Sequence, residues 1–360
     1  MKPSVQTPAE RLEAIPKPQL KTIDKLVLSP SDWLVMCGGF EDRALALLKS
    51  AANTKTPFNV VLILYEPVVA ANHAAEARRI CRDRNIRLFE LSYNRESPSG
   101  FGDVLVKLLS THEGRIFVDI SGMSRLLIVQ TLVAIKNRAQ GFSSCFVTYV
   151  EAQNYPPTQG EAEIILDKSD SDPSFSIFFL SSGVYEVTLV PELSSSAPAS
   201  AHTRLVAFPS LDTHQLTALR AELQPSRLSF IEGIPPALHN SWRQQIIASA
   251  NCLDKVQNAE TYQTSTLYYE ETLDRLLKLY AQHGIYERLL ISPTGSKMQA
   301  VAVGILRSFV EDIQIVYPTP RDFLEPERYT SGVGKMHLLA LESFSENNFS
   351  EKLAPSASAK

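Results

Sequence analysis

The chain has 360 residues, of which 44% are apolar and 21% charged, with a formal net charge of −4. That length accommodates two domains, each able to bury its own core. The slightly acidic balance excludes a protein that coats nucleic acid through bulk charge, while a local basic cleft stays open because net charge says nothing about distribution.

Cys37, Cys81, Cys145 and Cys252 are scattered without C-x-x-C spacing and read as reduced thiols. The histidines show no metal-binding spacing and no nucleotide-hydrolase or kinase signature occurs, so neither a metal nor a cofactor is expected. No apolar run approaches the ~20 residues of a membrane span, and the N-terminus has no signal-peptide core. A cytoplasmic protein without a membrane partner is the expectation.

Taken in order, residues 1–29 read as a polar leader with a short amphipathic stretch at 9–15. Continuous apolar runs then predict buried strands at 32–37, 59–65, 86–91, 116–120 and 144–150. Between them, helical periodicity marks 40–49, 70–84, 103–110 and 126–138. Strands that are apolar on both faces and alternate with helices imply a mostly parallel, Rossmann-like sheet. Three further strands, at 162–166, 176–180 and 184–190, are expected to extend this first domain (30–193) in antiparallel fashion.

The Ser- and Ala-rich stretch 194–202 reads as a linker. The pattern then restarts over 203–342, with strands at 204–208, 227–231, 289–291, 313–317 and 336–341. Helices are expected at 213–223, 240–250, 267–283 and 298–309, and the polar tail 343–360 is expected to be disordered. The predicted fold class is therefore α/β: two tandem Rossmann-like domains with mostly parallel sheets, each extended by antiparallel strands.

Four markers recur in the same order in both halves. Ser124-Arg125 is followed by the strand-end Tyr149, the Pro156-Pro157 loop and Ser182-Gly183-Val184. Ser296-Lys297 is followed by Tyr317, the Pro318-Thr319-Pro320 loop and Ser331-Gly332-Val333. Four ordered matches point to an internal duplication.

Within each copy a strand leads into a polar turn and an apolar helix. Asp119, Ser121, Gly122, Ser124 and Arg125 form the first such turn, and Thr294, Gly295, Ser296 and Lys297 the second. Free N–H groups and the dipole at such a helix start favour an anion, and a cation there is disfavoured unless an anion is near. Gly38 and Gly39 after the first strand permit close backbone approach, with Arg43 one turn on and Tyr149 placed to stack on a base. Asp119 is placed either to bind a ribose hydroxyl or to cap its own turn.

The paired arrangement resembles proteins built from CARF-type Rossmann domains, including the fused pairs of SAVED sensors in bacterial antiviral systems. The turns at 121–125 and 294–297 match the position where that family uses a Gly/Thr-rich turn with a Lys or Arg. Neither carries the fuller Gly-Gly-Thr-Lys form. The resemblance implies a phosphate-bearing ligand such as a cyclic nucleotide, a separate effector protein as partner, and a role in anti-phage defence. The alternatives are a nucleotide hydrolase or phosphodiesterase, with Asp119, Glu41 or Glu151 activating water, and a non-catalytic scaffold subunit.

Overall fold

The computed structural model describes residues 6–53, 56–68, 72–110, 113–171, 181–196, 202–322 and 329–345. Helix α1 (Pro8–Ala14) opens with a capping box, in which the Thr7 hydroxyl accepts from the Glu10 amide while the Glu10 carboxylate accepts from the Thr7 amide. Its Leu12 is buried. The short strand β1 (Lys21–Ile23) follows, so the stretch read as a leader contributes to both the core and a sheet.

The first half then alternates as expected: β2 (Trp33–Cys37), α2 (Ala46–Ala52), β3 (Asn59–Glu66), α3 (Ala74–Asp83), β4 (Arg87–Asn94), α4 (Phe101–Leu109), β5 (Ile116–Asp119), α5 (Arg125–Lys136) and β6 (Cys145–Val150). Residues 159–171, part of which reads as a strand, form helix α6 (Gln159–Ser171). The short apolar run Ile164-Ile165-Leu166 mimics a strand, but Thr158 and Glu161 make a second capping box, with the Thr158 amide donating to Glu161 Oε2 at 2.8 Å. Ile164 stays exposed. The expected strand at 176–180 lies outside the described residues.

After β7 (Val184–Leu189) the second half repeats the alternation: β8 (His202–Ala207), α7 (Thr213–Leu223), β9 (Arg227–Ile234), α8 (Trp242–Ala250), β10 (Ala259–Ser265), α9 (Tyr269–His283), β11 (Glu287–Ser292), α10 (Lys297–Phe309), β12 (Gln314–Pro320) and β13 (Met336–Ala340). The sequence Ala-Glu-Thr-Tyr-Gln-Thr-Ser of β10 is too polar to read as a buried strand, and β10 lies at a sheet edge, paired only with β9. Phe344, within the expected tail, is buried in a 3₁₀ turn, and the tail beyond residue 345 lies outside the described residues.

Seven strands form the first sheet in the order β1-β13-β6-β5-β2-β3-β4, and six form the second in the order β10-β9-β8-β11-β12-β7. In each, five parallel strands run 3-2-1-4-5 in their own chain order, which is the Rossmann order. The antiparallel extensions are exchanged between the halves. Strand β7, expected to extend the first sheet, pairs with β12 in the second, while β13 from the end of the second half pairs with β6 in the first. The expected boundaries at 193 and 342 therefore do not separate two self-contained sheets.

Between the sheets, every residue from Leu126 to Ile135 of α5 and from Met298 to Arg307 of α10 is buried. A helix enclosed on all sides needs apolar residues nearly all round, which explains runs interrupted only by Gln130 and Thr131 in α5 and by Gln299 and Arg307 in α10. The two helices pack on each other, and one apolar core includes residues of both halves. Leu132 and Gly304 stand at the same step from Arg125 and Lys297, and they meet at the crossing. A Cβ on Gly304 would lie 2.8 Å from Leu132 Cδ1 and 3.4 Å from Val129 Cα. Gly304→Leu is thus expected to lower stability by about 1–3 kcal/mol through overpacking. Thermal unfolding measures this, and an unchanged melting temperature would contradict the close crossing.

Candidate functional site

In an open α/β sheet, ligands bind beyond the strand C-termini where the strand order reverses. Here that switch point falls between β2 and β5 in the first sheet and between β8 and β11 in the second. Both open into one cleft of about 650 Å³, within the usual range for small-molecule sites. The turns at the starts of α5 and α10 line it together.

The two turns are built alike. Ser124 and Ser296 are N-caps whose hydroxyls accept from the Leu127 and Gln299 amides, at 3.3 and 3.1 Å. The Ser124 amide is itself taken, donating to Tyr65 Oη at 2.6 Å. Both serines thus serve their own helices. The backbone N–H groups of Arg125 and Leu126, and of Lys297 and Met298, make no hydrogen bond among the described residues. These are the donors that a helix start leaves free.

The basic side chains cross between the halves. Arg125 Nε donates to the Gly295 carbonyl at 2.8 Å, and Lys297 Nζ donates to the Met123 carbonyl at 2.6 Å. Each cation therefore latches onto the turn of the opposite half, at matching positions. Neither forms an ion pair with a carboxylate among the described residues. Gly122 lets its turn pack against the end of β2, because a Cβ there would lie 2.6 Å from the Cys37 carbonyl oxygen. Gly295 is as tightly held, 2.9 Å from Phe208 Cβ by the same construction.

The first strand-to-helix turn supplies a second charged group. Buried Arg43 forks onto the Glu41 carboxylate at 3.0 and 3.1 Å and donates to Tyr149 Oη at 3.1 Å. The Thr330 hydroxyl donates to Glu41, and the Gly332 amide donates to Asp42 at 2.9 Å. Burial pushes Glu41 up, but the Arg43 guanidinium and Lys297 outweigh it and leave the carboxyl below its usual range. The exchanged strand positions this clamp, because residues 330–332 lie just before β13.

Gly38, Gly39, Glu41, Arg43, Gly122, Ser124, Arg125, Tyr149, Thr294, Gly295, Ser296 and Lys297 all line the cleft, as do Tyr155 and Tyr317. Asp119 and Ser121 do not. Asp119 is 1% exposed beneath the turn, where its Oδ1 accepts from the Ser121 amide at 3.0 Å and the Ser121 hydroxyl at 2.5 Å. Ser121 Oγ in turn accepts from the Val150 amide at 2.9 Å. Burial raises the Asp119 carboxyl to about 7 against the pull of Ser121, Lys297 and Arg43. Burial likewise pushes the Cys37 thiol to about 12, so it is no nucleophile at neutral pH.

Sequence reasoning missed Arg78, Arg95 and Arg243, which also line the cleft. With them the lining carries six basic residues against three acidic ones, Glu41, Glu151 and Asp212. Lys297 feels this surplus. Burial, followed by repulsion from Arg43 and Arg125, outweighs attraction from Glu41 and lowers its ammonium to about 7.

No protein-family model matches the chain. No curated protein matches it in sequence either. Among solved structures, it is similar to the cytoplasmic domain of a prokaryotic cation chloride cotransporter, at 9% identity over 81% of this chain and 95% of that chain, with a TM-score of 0.24. A functionally unknown protein from Pseudomonas aeruginosa PAO1 is similar at 9% identity over 80% of this chain and 92% of that chain, with a TM-score of 0.21. Likenesses of this degree carry no argument about ligand or activity. Among the described residues, no helix is long and apolar enough to cross a membrane, and no group of three or more His, Cys, Asp or Glu side chains is placed to hold a metal ion.

Proposed function

We propose that this protein is a sensor-like binder of a phosphate-bearing small molecule, a nucleotide or oligonucleotide, held between its two halves. The observation that carries the reading is the reciprocal pair Arg125 and Lys297. Two cations without carboxylate partners are brought to one cleft beside free helix-start N–H groups. Such a constellation is electrostatically incomplete, and an anion bridging the two turns completes it. Tyr149, Tyr155 and Tyr317 supply faces on which a base can stack.

The resemblance to paired CARF-type and SAVED sensors extends this reading to a cyclic nucleotide, a separate effector protein and anti-phage defence. Ligand binding would close the halves, and the exchanged strands would transmit the movement to the effector.

The hydrolase alternative draws less support. Asp119 does not reach the cleft, Glu41 is held by Arg43 and Thr330, and Glu151 Oε1 lies 2.7 Å from His337 Nε2. Each candidate base is already engaged.

A thermal-shift screen with nucleotides and cyclic oligonucleotides tests the reading. A compound present at one hundred times its Kd is expected to add about 2.7 kcal/mol of stability. The absence of a shift from every phosphate compound would overturn it.

A further inference from the structure

We infer that the cleft contains a second anion subsite, away from the Arg125–Lys297 pair and centred on Arg243, so that the ligand carries at least two anionic groups. This rests on the reading of the cleft as a phosphate-ligand site.

Arg243 stands in the first turn of α8, the helix after β9, and its side chain lines the cleft. Its guanidinium lies over the Trp242 ring, 4.6 Å from the centroid, which fixes its plane. Through Nη2 it donates to the Tyr155 carbonyl and, at 2.8 Å, to the Pro157 carbonyl, both in the first half's loop after β6. Nε is buried without a partner, and Nη1 makes no hydrogen bond among the described residues. No carboxylate forms an ion pair with it there. Burial accordingly pulls the Arg243 pKa below the usual guanidinium value, with the Tyr155 phenol opposing, and the group stays charged.

A guanidinium is always charged and presents a planar fork suited to phosphate oxygens. Here it is partly desolvated, bonded to carbonyls and without an ion-paired carboxylate among the described residues, as Arg125 and Lys297 also lack one. In the first half Arg95 also lines the cleft and likewise donates to a carbonyl of the other half, through Nη2 to Arg321 at 3.0 Å. Arg78, on the corresponding helix α3, is instead paired with Glu90 at 2.6 Å. The Arg125–Lys297 pair thus serves one anionic group, and Arg243 on α8 serves another.

The test uses AMP, with one phosphate, and the linear 5′-phosphorylated dinucleotide pApA, with two anionic groups. Dissociation constants are measured calorimetrically on the wild type, Arg243→Gln and Arg243→Lys. The wild type is expected to bind pApA at least about tenfold more tightly than AMP, as one charge-assisted contact allows. Arg243→Gln should bring that ratio near one while leaving AMP within about twofold, and Arg243→Lys should keep part of the preference. Equal affinities in the wild type, or equal weakening of both compounds by Arg243→Gln, would overturn the inference and leave the phosphate reading standing. Should Arg243→Gln fail to fold, retention of the full preference by Arg243→Lys would count against a forked contact. If neither compound binds, and no other phosphate compound does, both readings fall together.

Discussion

Removing either Arg125 or Lys297 is expected to weaken binding of a phosphate-bearing ligand by about 10- to 150-fold, the range given by losing one charge-assisted hydrogen bond of about 1.5–3 kcal/mol. Arg125→Met and Lys297→Met should behave alike despite lying in different halves, because their side chains cross to matching carbonyls in one cleft. The double variant should fall short of the product of the single losses, since groups sharing one anion are not independent. Each change also breaks a latch, so circular dichroism and thermal unfolding must accompany the titrations. Isothermal calorimetry reads the outcome. Loss of binding in one variant with full binding in the other would contradict a shared site.

The second large effect concerns pH. Lys297 titrates near 7 in the free protein, held down by burial and by Arg43 and Arg125 against the pull of Glu41 and Cys37. An anion placed beside it stabilises the ammonium and raises that value. Above about pH 7, the free protein then carries a neutral amine while the complex carries the charged one. Binding must take up a proton, and affinity should fall as pH rises, by at most about tenfold per unit. Below pH 7 Lys297 is already charged and the dependence from this source disappears. Asp119 also titrates near 7 and contributes in the same sense, because a nearby anion opposes its ionisation. Lys297→Met separates the two. Calorimetry in buffers of differing ionisation enthalpy should show the uptake in the wild type and a marked reduction in the variant. Equal uptake in both would assign the proton elsewhere.

The same depressed value also affects folding. The unfolded chain, with an ordinary lysine, binds more protons than the native state between about pH 7 and 10.5, so this group's contribution lowers stability as pH falls through that window. Latching Lys297 under the turn therefore costs stability at neutral pH, and an anion in the cleft would offset that cost.

Much of this molecule was readable in the linear chain. The two strand–turn–helix units are local devices: an apolar run, a Ser N-cap, a small residue, then an enclosed helix. Hence Ser124, Arg125, Gly295 and Lys297 were legible, and the internal repeat brought them into one hypothesis. Pairing of distant strands left no such mark. Strands β7 and β13 each come with a Ser-Gly-Val marker, and only the folded chain shows that each joins the other half's sheet. Polar β10 gave too weak an apolar signal, and α6 was hidden by the short apolar run 164–166 although Thr158 and Glu161 spelled its cap.

The site was legible where backbone chemistry defined it and obscure where it depended on a single side chain. Asp119 closes its strand as expected but points beneath the turn, where its Oδ1 accepts from the Ser121 amide and hydroxyl. Arg243 follows Trp242 on an ordinary helix and looks in sequence like a solvated cation. Its role emerges only from the carbonyls of Tyr155 and Pro157 that it meets across the cleft.

The central claim is that the two halves build one site and not two. Native mass spectrometry of the wild-type chain with the phosphate compound that most raises its melting temperature tests this most directly. One ligand molecule per chain is the predicted result. Two molecules per chain, filling each turn independently, would contradict the account.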